Sequence, residues 1–419
     1  MLKYVVTVCK PKFFKKVNME DNKKTSNAPV EDNVPEELSI VETKIGGYVK
    51  KRRRRSSSGS EHKKHHRSTH KKNGKKKMKL WKKLLIALGC VILSLALIVT
   101  GTFFYLRGTG KHQLLQSSYT ISAPDKPGIK LDDGGNTVKY KGKTYKYKSN
   151  AINLLFMGID KEESGAQQTD IGNGYSSDVI IVMSIDSENK TVTLVNVPRD
   201  IITDVSLYSK SGGYTGVEKL PIALSYAYGE TEKQSCINCL EAVRRIFYNV
   251  PVNAYYSMEI SGIPVINDRV DGVDVVSPED VYYGDRLIFE NGKQYHLMGD
   301  DSTSFVRLRN KTTADANLLR NERQKIYLTE FIKKTIALTK SDISTPVKLY
   351  NAAEDYSCTN FTINGVTYLA TELMQNGGVT TKTVTVPVDV KEANNRAENY
   401  IREDEFYELF LSVFYNEIS

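Results

Sequence analysis

Residues 84–106 form an apolar stretch of about 23 residues without a charged side chain, long enough to cross a hydrocarbon core of ~30 Å at 1.5 Å per residue. Trp81 stands at one edge and Tyr105 at the other, where interfacial aromatics belong. A cleaved signal peptide fits less well, because the stretch is too long, lies far from the N-terminus and is not closely followed by a small-x-small cleavage site. Lys75, Lys76, Lys77, Lys79, Lys82 and Lys83 crowd its N-terminal side. The positive-inside rule therefore predicts a single-pass protein of the cell membrane, with its N-terminus in the cytoplasm and everything beyond about residue 107 outside the cell. The expected organisation is a disordered basic cytoplasmic tail (1–79), a transmembrane signal anchor (80–106), an extracytoplasmic connector (107–149) and one large folded domain (150–419).

Charge is divided along the same boundary. Residues 1–83 carry 25 Lys and Arg against 8 Asp and Glu, so with a whole-chain formal charge of +10 the rest of the chain is acidic by 7. The high isoelectric point belongs to the tail. The run Arg52-Arg53-Arg54-Arg55-Ser56-Ser57-Ser58 reads either as an electrostatic hold on anionic inner-leaflet lipid or as a topology determinant alone. No helix-turn-helix pattern accompanies it, so no specific nucleic-acid partner is expected.

Beyond the connector, which holds a hairpin signal at 137–147, β-branched runs at 151–158, 178–185 and 191–197 predict buried strands. Further strands are expected at 254–259, 272–276 and 379–386. Apolar periodicity predicts helices at 217–228, 233–248, 262–270, 315–338, 346–353, 364–375 and 404–415. The sum is an α/β domain in which helices flank a mixed central sheet, preceded by one transmembrane helix. Cys236 and Cys239 form a C-x-x-C pair, readable as a local disulfide or as two small buried thiols.

Only His112 and His296 lie outside the tail, which argues against a Ser-His-Asp triad or a histidine-rich metal site. Chemistry must then rest on carboxylates, Arg and Lys. Asp160 follows the first strand, Asp178 opens the second and Arg199 follows the third, all on a sheet rim where loops build sites. Arg307 and Arg309 share a face if their segment is extended, and Arg320 and Gln324 share a helical face. Several guanidinium groups with two carboxylates suit a pyrophosphate and a divalent cation; surface salt bridges are the plainer reading.

The motifs Asn153-Leu154-Leu155-Phe156-Met157-Gly158-Ile159-Asp160, Ser177-Asp178-Val179, Val195-Asn196-Val197-Pro198-Arg199-Asp200, Lys219-Leu220, Val306-Arg307-Leu308-Arg309 and Arg320-Asn321-Glu322-Arg323-Gln324, in this order behind a membrane anchor, resemble the LytR-CpsA-Psr family of cell-envelope proteins. The resemblance implies an extracytoplasmic phosphotransferase that moves a glycopolymer of teichoic acid or capsule type from polyprenyl pyrophosphate to peptidoglycan. It implies Mg²⁺, with Mn²⁺ as an alternative, held by Asp160 and Asp178. Arg199, Lys219, Arg307, Arg309, Arg320 and Gln324 would bind pyrophosphate, with Arg199, Asp178, Arg307 and Arg309 as the catalytic set. Apolar walls at 220–228 and 240–247 would seat the isoprenoid tail, though they serve equally well as core. The chain departs from the family pattern at Ser176, where an arginine is usual, and at Asn317, where an aspartate is usual and Asp315 lies nearby. These departures keep a second reading open: a member that binds lipid-linked polymer, or regulates as a transcriptional attenuator, without transferring it.

Overall fold

The computed structural model describes residues 79–115, 120–124, 129–161, 171–172, 174–309, 316–375, 379–393 and 396–418. The expected tail up to residue 78 and Asp315 lie outside them, and the side chain of Asn317 is likewise not described.

Helix α1 (Leu80–Leu115) is long and apolar enough to cross a membrane. It does not stop at the end of the apolar run. Nine further residues continue the helix, and Gly110 and Leu114 are buried against the domain. The hairpin signal is realised as strands Thr137–Tyr140 and Lys143–Tyr147, in a four-stranded antiparallel sheet completed by Lys130–Asp132 and the C-terminal Tyr415–Glu417.

We number the strands of the central six-stranded sheet in chain order: β1 (Ile152–Ile159), β2 (Ser177–Asp186), β3 (Thr191–Asn196), β4 (Ala254–Glu259), β5 (Ser357–Thr359) and β6 (Thr380–Thr385). Their spatial order is β5-β4-β1-β2-β3-β6. β1 pairs antiparallel with β2 and parallel with β4, so the sheet is mixed. The β-branched run of β2 suits a pleated surface covered on both sides. Alternate residues serve two cores. Leu155, Met157, Ile180, Val182 and Val195 face helices α2 (Glu232–Ile246) and α8 (Glu403–Phe414). Ile152, Leu154, Ile181, Ile185 and Val192 face the other way, toward α5 (Ala316–Ser341) and α7 (Ile363–Gln375). A third cluster joins Val270, Val273, Phe289 and Phe305 to α5. Helices α3 (Ile263–Arg269), α4 (Asp300–Arg307) and α6 (Thr345–Ala352) complete this side.

Two expectations need correction. Residues 217–228 are not one helix: Tyr214–Pro221 is a strand paired with Ile202–Tyr208, and only Ile222–Tyr228 coils, as a 3₁₀ segment. Pro221 explains the break, since it disfavours helical geometry in the residue before it. The segment ending at Arg307 is helical rather than extended. Cys236 and Cys239 are free buried thiols that face Ser257 and Ser177.

Candidate functional site

The sheet face toward α5 and α7 does not close. Between them lies a cavity of about 1050 Å³. Its wall is apolar over most of its length, with Leu154, Ile181, Ile185 and Val192 from the sheet, Leu328, Phe331 and Ile332 from α5, and Val366, Leu369, Leu373 and Met374 from α7. At the other end, where β1 finishes and β2 begins, Asp160, Asp178, Arg307, Arg309, Arg320 and Gln324 line it. The segments expected to seat a lipid tail are elsewhere. Ile222, Tyr226, Leu240, Val243 and Phe247 are packed into the core on the opposite face of the sheet, among residues of α8, and do not line this cavity.

Asp178 is the hub of the polar end. Its Oδ1 accepts from Nη1 of Arg199 in a close ion pair and from Ser176 Oγ at 3.3 Å, while its Oδ2 lies 3.5 Å from Arg320 Nη1 and 4.0 Å from Arg309 Nη2. The hydroxyl of Ser176 thus supports the same carboxylate. Asp160 is exposed at the rim, and its backbone amide donates to Ser176 O at 3.4 Å. Arg199 Nε also lies 3.5 Å from Asp200 Oδ1, so three guanidinium groups gather about two carboxylates. Burial, most of all, pulls the pKa of Arg320 down to about 10; Asp178 opposes the fall, Arg309 and Arg199 add to it, and Asp160 opposes it more weakly. Its Nε is buried without a hydrogen-bond partner among the described residues. Such an orphaned donor in a positive site is what an anionic ligand would satisfy.

The arginines are held from behind by a residue to which sequence reasoning gave no role. Arg323 is fully buried. Its Nε donates to Glu279 Oε1 at 2.8 Å, and its terminal nitrogens donate to the carbonyls of Phe305 and Leu308, on either side of Arg307. Gln324 Nε2 adds a bond to Val306 O at 3.2 Å. The α5 turn that presents Arg320 therefore also clamps the backbone that presents Arg307 and Arg309. The only sequence signal was an arginine three residues from Arg320, on a helix otherwise apolar on that side. Lys219 is not brought to the cluster. It projects from the Tyr214–Pro221 strand, 68% exposed, and pairs with Asp204 at 2.9 Å.

Two carboxylates at the rim offer the hard oxygen donors that Mg²⁺ takes alongside phosphate, and no larger cluster of metal-ligating side chains occurs among the described residues.

Fold and site together define a mixed α/β domain whose apolar cavity ends in an arginine–carboxylate cluster. The chain belongs to the LytR_cpsA_psr family, whose model matches residues 118–409. Among curated proteins it is 28% identical over 250 residues to the polyisoprenyl-teichoic acid–peptidoglycan teichoic acid transferase TagV of Bacillus subtilis, covering 58% of this chain and 56% of that one. It is 29% identical over 163 residues to the transferase TagU of Bacillus cereus, covering 39% and 45%. The chain thus spans about half the length of the curated relatives it matches. The crystal structure of Bacillus subtilis TagV superposes with a TM-score of 0.46 at 22% identity, covering 63% of this chain and 95% of that one.

Proposed function

We propose that the protein is a membrane-anchored phosphotransferase that joins a polyprenyl-pyrophosphate-linked glycopolymer, of teichoic acid or capsule type, to peptidoglycan outside the cell. The observation that carries this reading is the Asp178 cluster with Arg199, Arg309 and Arg320 at the end of an apolar cavity of about 1050 Å³. A ligand fitted to both ends has a pyrophosphate head and a long apolar tail. The names of the curated relatives, teichoic acid transferases, agree with that chemistry.

In the reaction, a peptidoglycan hydroxyl oxygen attacks the phosphorus that carries the glycan. The bond from that phosphorus to the bridging oxygen breaks, polyprenyl phosphate leaves with the electron pair, and the hydroxyl proton passes to solvent or a carboxylate. Arg199, Arg307, Arg309 and Arg320 would grip the pyrophosphate oxygens and stabilise charge on the leaving phosphate, as phosphoryl transfer requires. Asp160 and Asp178 would hold Mg²⁺, which when bound neutralises pyrophosphate charge. α1 would cross the membrane with the basic tail in the cytoplasm, against anionic lipid.

The full-length chain in detergent, with a lipid-linked glycan pyrophosphate, peptidoglycan oligomers and Mg²⁺, should release polyprenyl phosphate and label the acceptor, and Asp178→Ala should do neither. Tight donor binding without transfer across several glycans would overturn the enzyme reading in favour of a polymer-binding member. Ser176 in place of an arginine is the feature that would then explain it.

A further inference from the structure

α7 has two working faces. One lines the cavity through Val366, Leu369, Ala370, Leu373 and Met374. The other carries α1. Arg107, the first charged residue after the apolar run, pairs with Glu372 at 2.7 Å and donates to Thr371 Oγ1 at 3.1 Å. Asn364 donates to Thr109 at 3.1 Å, and Thr362 to Gln113 at 2.6 Å. Asn253 caps the α1 end by donating to Leu114 O at 2.5 Å. The contacts run in opposite directions along the two helices, so the C-terminal end of α7 lies level with Arg107, where α1 changes from apolar to polar. The fit is close: a Cβ on Gly110 would stand 2.1 Å from the carbonyl oxygen of Asn364.

Resting on the transferase reading above, we infer that the cavity receives its isoprenoid chain directly from the bilayer, through a portal at Leu373 and Met374 that α1 holds against the membrane. The neighbouring lining residues Ile185 and Val192 belong to the same end, because β6 follows α7 and pairs Thr380 with Thr191. From there to Asp178 is seven residues of β2, about 23 Å at ~3.3 Å per residue. A chain drawn in at this end reaches the arginine cluster without crossing water, which matters because every methylene exposed on the way would oppose the transfer. The cavity has a rival mouth. Tyr282, Tyr283 and Gly284 also line it, and Tyr283 is 71% exposed. Among the described residues no hydrogen bond or ion pair ties that turn to α1, whereas four polar contacts and the Gly110 fit tie α7 and the residue before it to α1.

The test uses the full-length chain in liposomes that contain polyprenyl phosphate with a diazirine on its terminal isoprene unit. After irradiation, peptide mass spectrometry should place the label on Leu373 and Met374, and Gly110→Leu should lower that labelling at least fivefold. Circular dichroism and gel filtration must show that variant folded; Arg107→Ala, which forces no clash, should lower the labelling at least twofold. Labelling centred on Tyr282 and Tyr283, no labelling of cavity residues, or labelling unchanged in both variants would overturn the portal. Because the readout is labelling rather than turnover, a labelled wild-type protein that transfers no glycan would sink the transferase reading and leave the portal standing.

Discussion

Two ion clusters flank the end of β1, and they are built on opposite principles. Lys161 is buried at 2% exposure between Glu232 at 2.5 Å and Glu259 at 2.6 Å, one cation held by two carboxylates with every contact short. Around Asp178 the balance is reversed, three arginines to this carboxylate and Asp200, with a buried donor of Arg320 left over. Arg323 with Glu279 is a third case, balanced one to one and completed by two carbonyls. A satisfied cluster ties elements together; an unsatisfied cluster with excess charge waits for a counterion. On the transferase reading, the difference would separate residues that hold the fold from residues that hold the ligand.

Removing the cation from the satisfied cluster should give the largest effect. Lys161→Met leaves Glu259 buried without its partner, and breaking a buried pair costs about 3–5 kcal/mol. Denaturant unfolding should read that loss, and an unchanged midpoint would erase the distinction drawn here. Lys161 also makes stability depend on pH. Burial works to lower its pKa, but the hydrogen bonds to Glu232 and Glu259 outweigh it and leave the pKa raised. Its contribution is therefore fully present below the ordinary lysine value of 10.5 and is lost as pH rises through the folded value.

The opposite cluster should respond in activity and not in stability. Arg320→Ala or Arg199→Ala should cut transfer by about 10²–10³-fold, the usual cost of losing a charge-stabilising donor. The unfolding midpoint should stay near wild type, since each change relieves repulsion between arginines. Equal losses in stability and activity would mean that the cluster is structural after all.

Arg323 should fall between the two. Arg323→Lys keeps the charge on Glu279 but cannot reach both carbonyls, so it should lower kcat about tenfold with a smaller change in KM. Arg323→Met should also destabilise, and rescue of stability but not of kcat by the lysine variant is the mark of a positioning residue. The smallest effect belongs to ligand binding alone. Millimolar inorganic pyrophosphate should raise Tm by a few degrees through preferential binding to the folded state, and should do nothing for Arg320→Ala.

Much of this was legible in the sequence, for identifiable reasons. β1, β2 and β3 are dense in β-branched and apolar residues because both faces of the sheet are covered, and that density shows in one dimension. Asp160, Asp178 and Arg199 stood out because they interrupt such runs. The roles of Lys161 and Arg323 did not show, since a charged residue beside other charged residues reads as surface until its burial is known. Lys219 was carried by a motif, yet its strand turns it outward to Asp204. The strand at Tyr214–Pro221 has apolar spacing that reads as helix, and its pairing with Ile202–Tyr208 is a contact that local spacing does not show. The cavity wall was misplaced for a related reason: a core helix and a lipid-lining helix have the same apolar periodicity, and only packing tells them apart.

The nine helical residues of α1 beyond the apolar run have one more consequence. They rise about 13 Å at 1.5 Å per residue before the chain turns away. With the helix seated in a bilayer, that stem works as a ruler. On the transferase reading, it would set how far above the headgroups the arginine cluster stands, and so which layer of the wall would be within reach. A thicker bilayer would draw the stem down, a thinner one would lift or tilt it. Lengthening or shortening it by whole turns would then move the height of the cluster above the membrane.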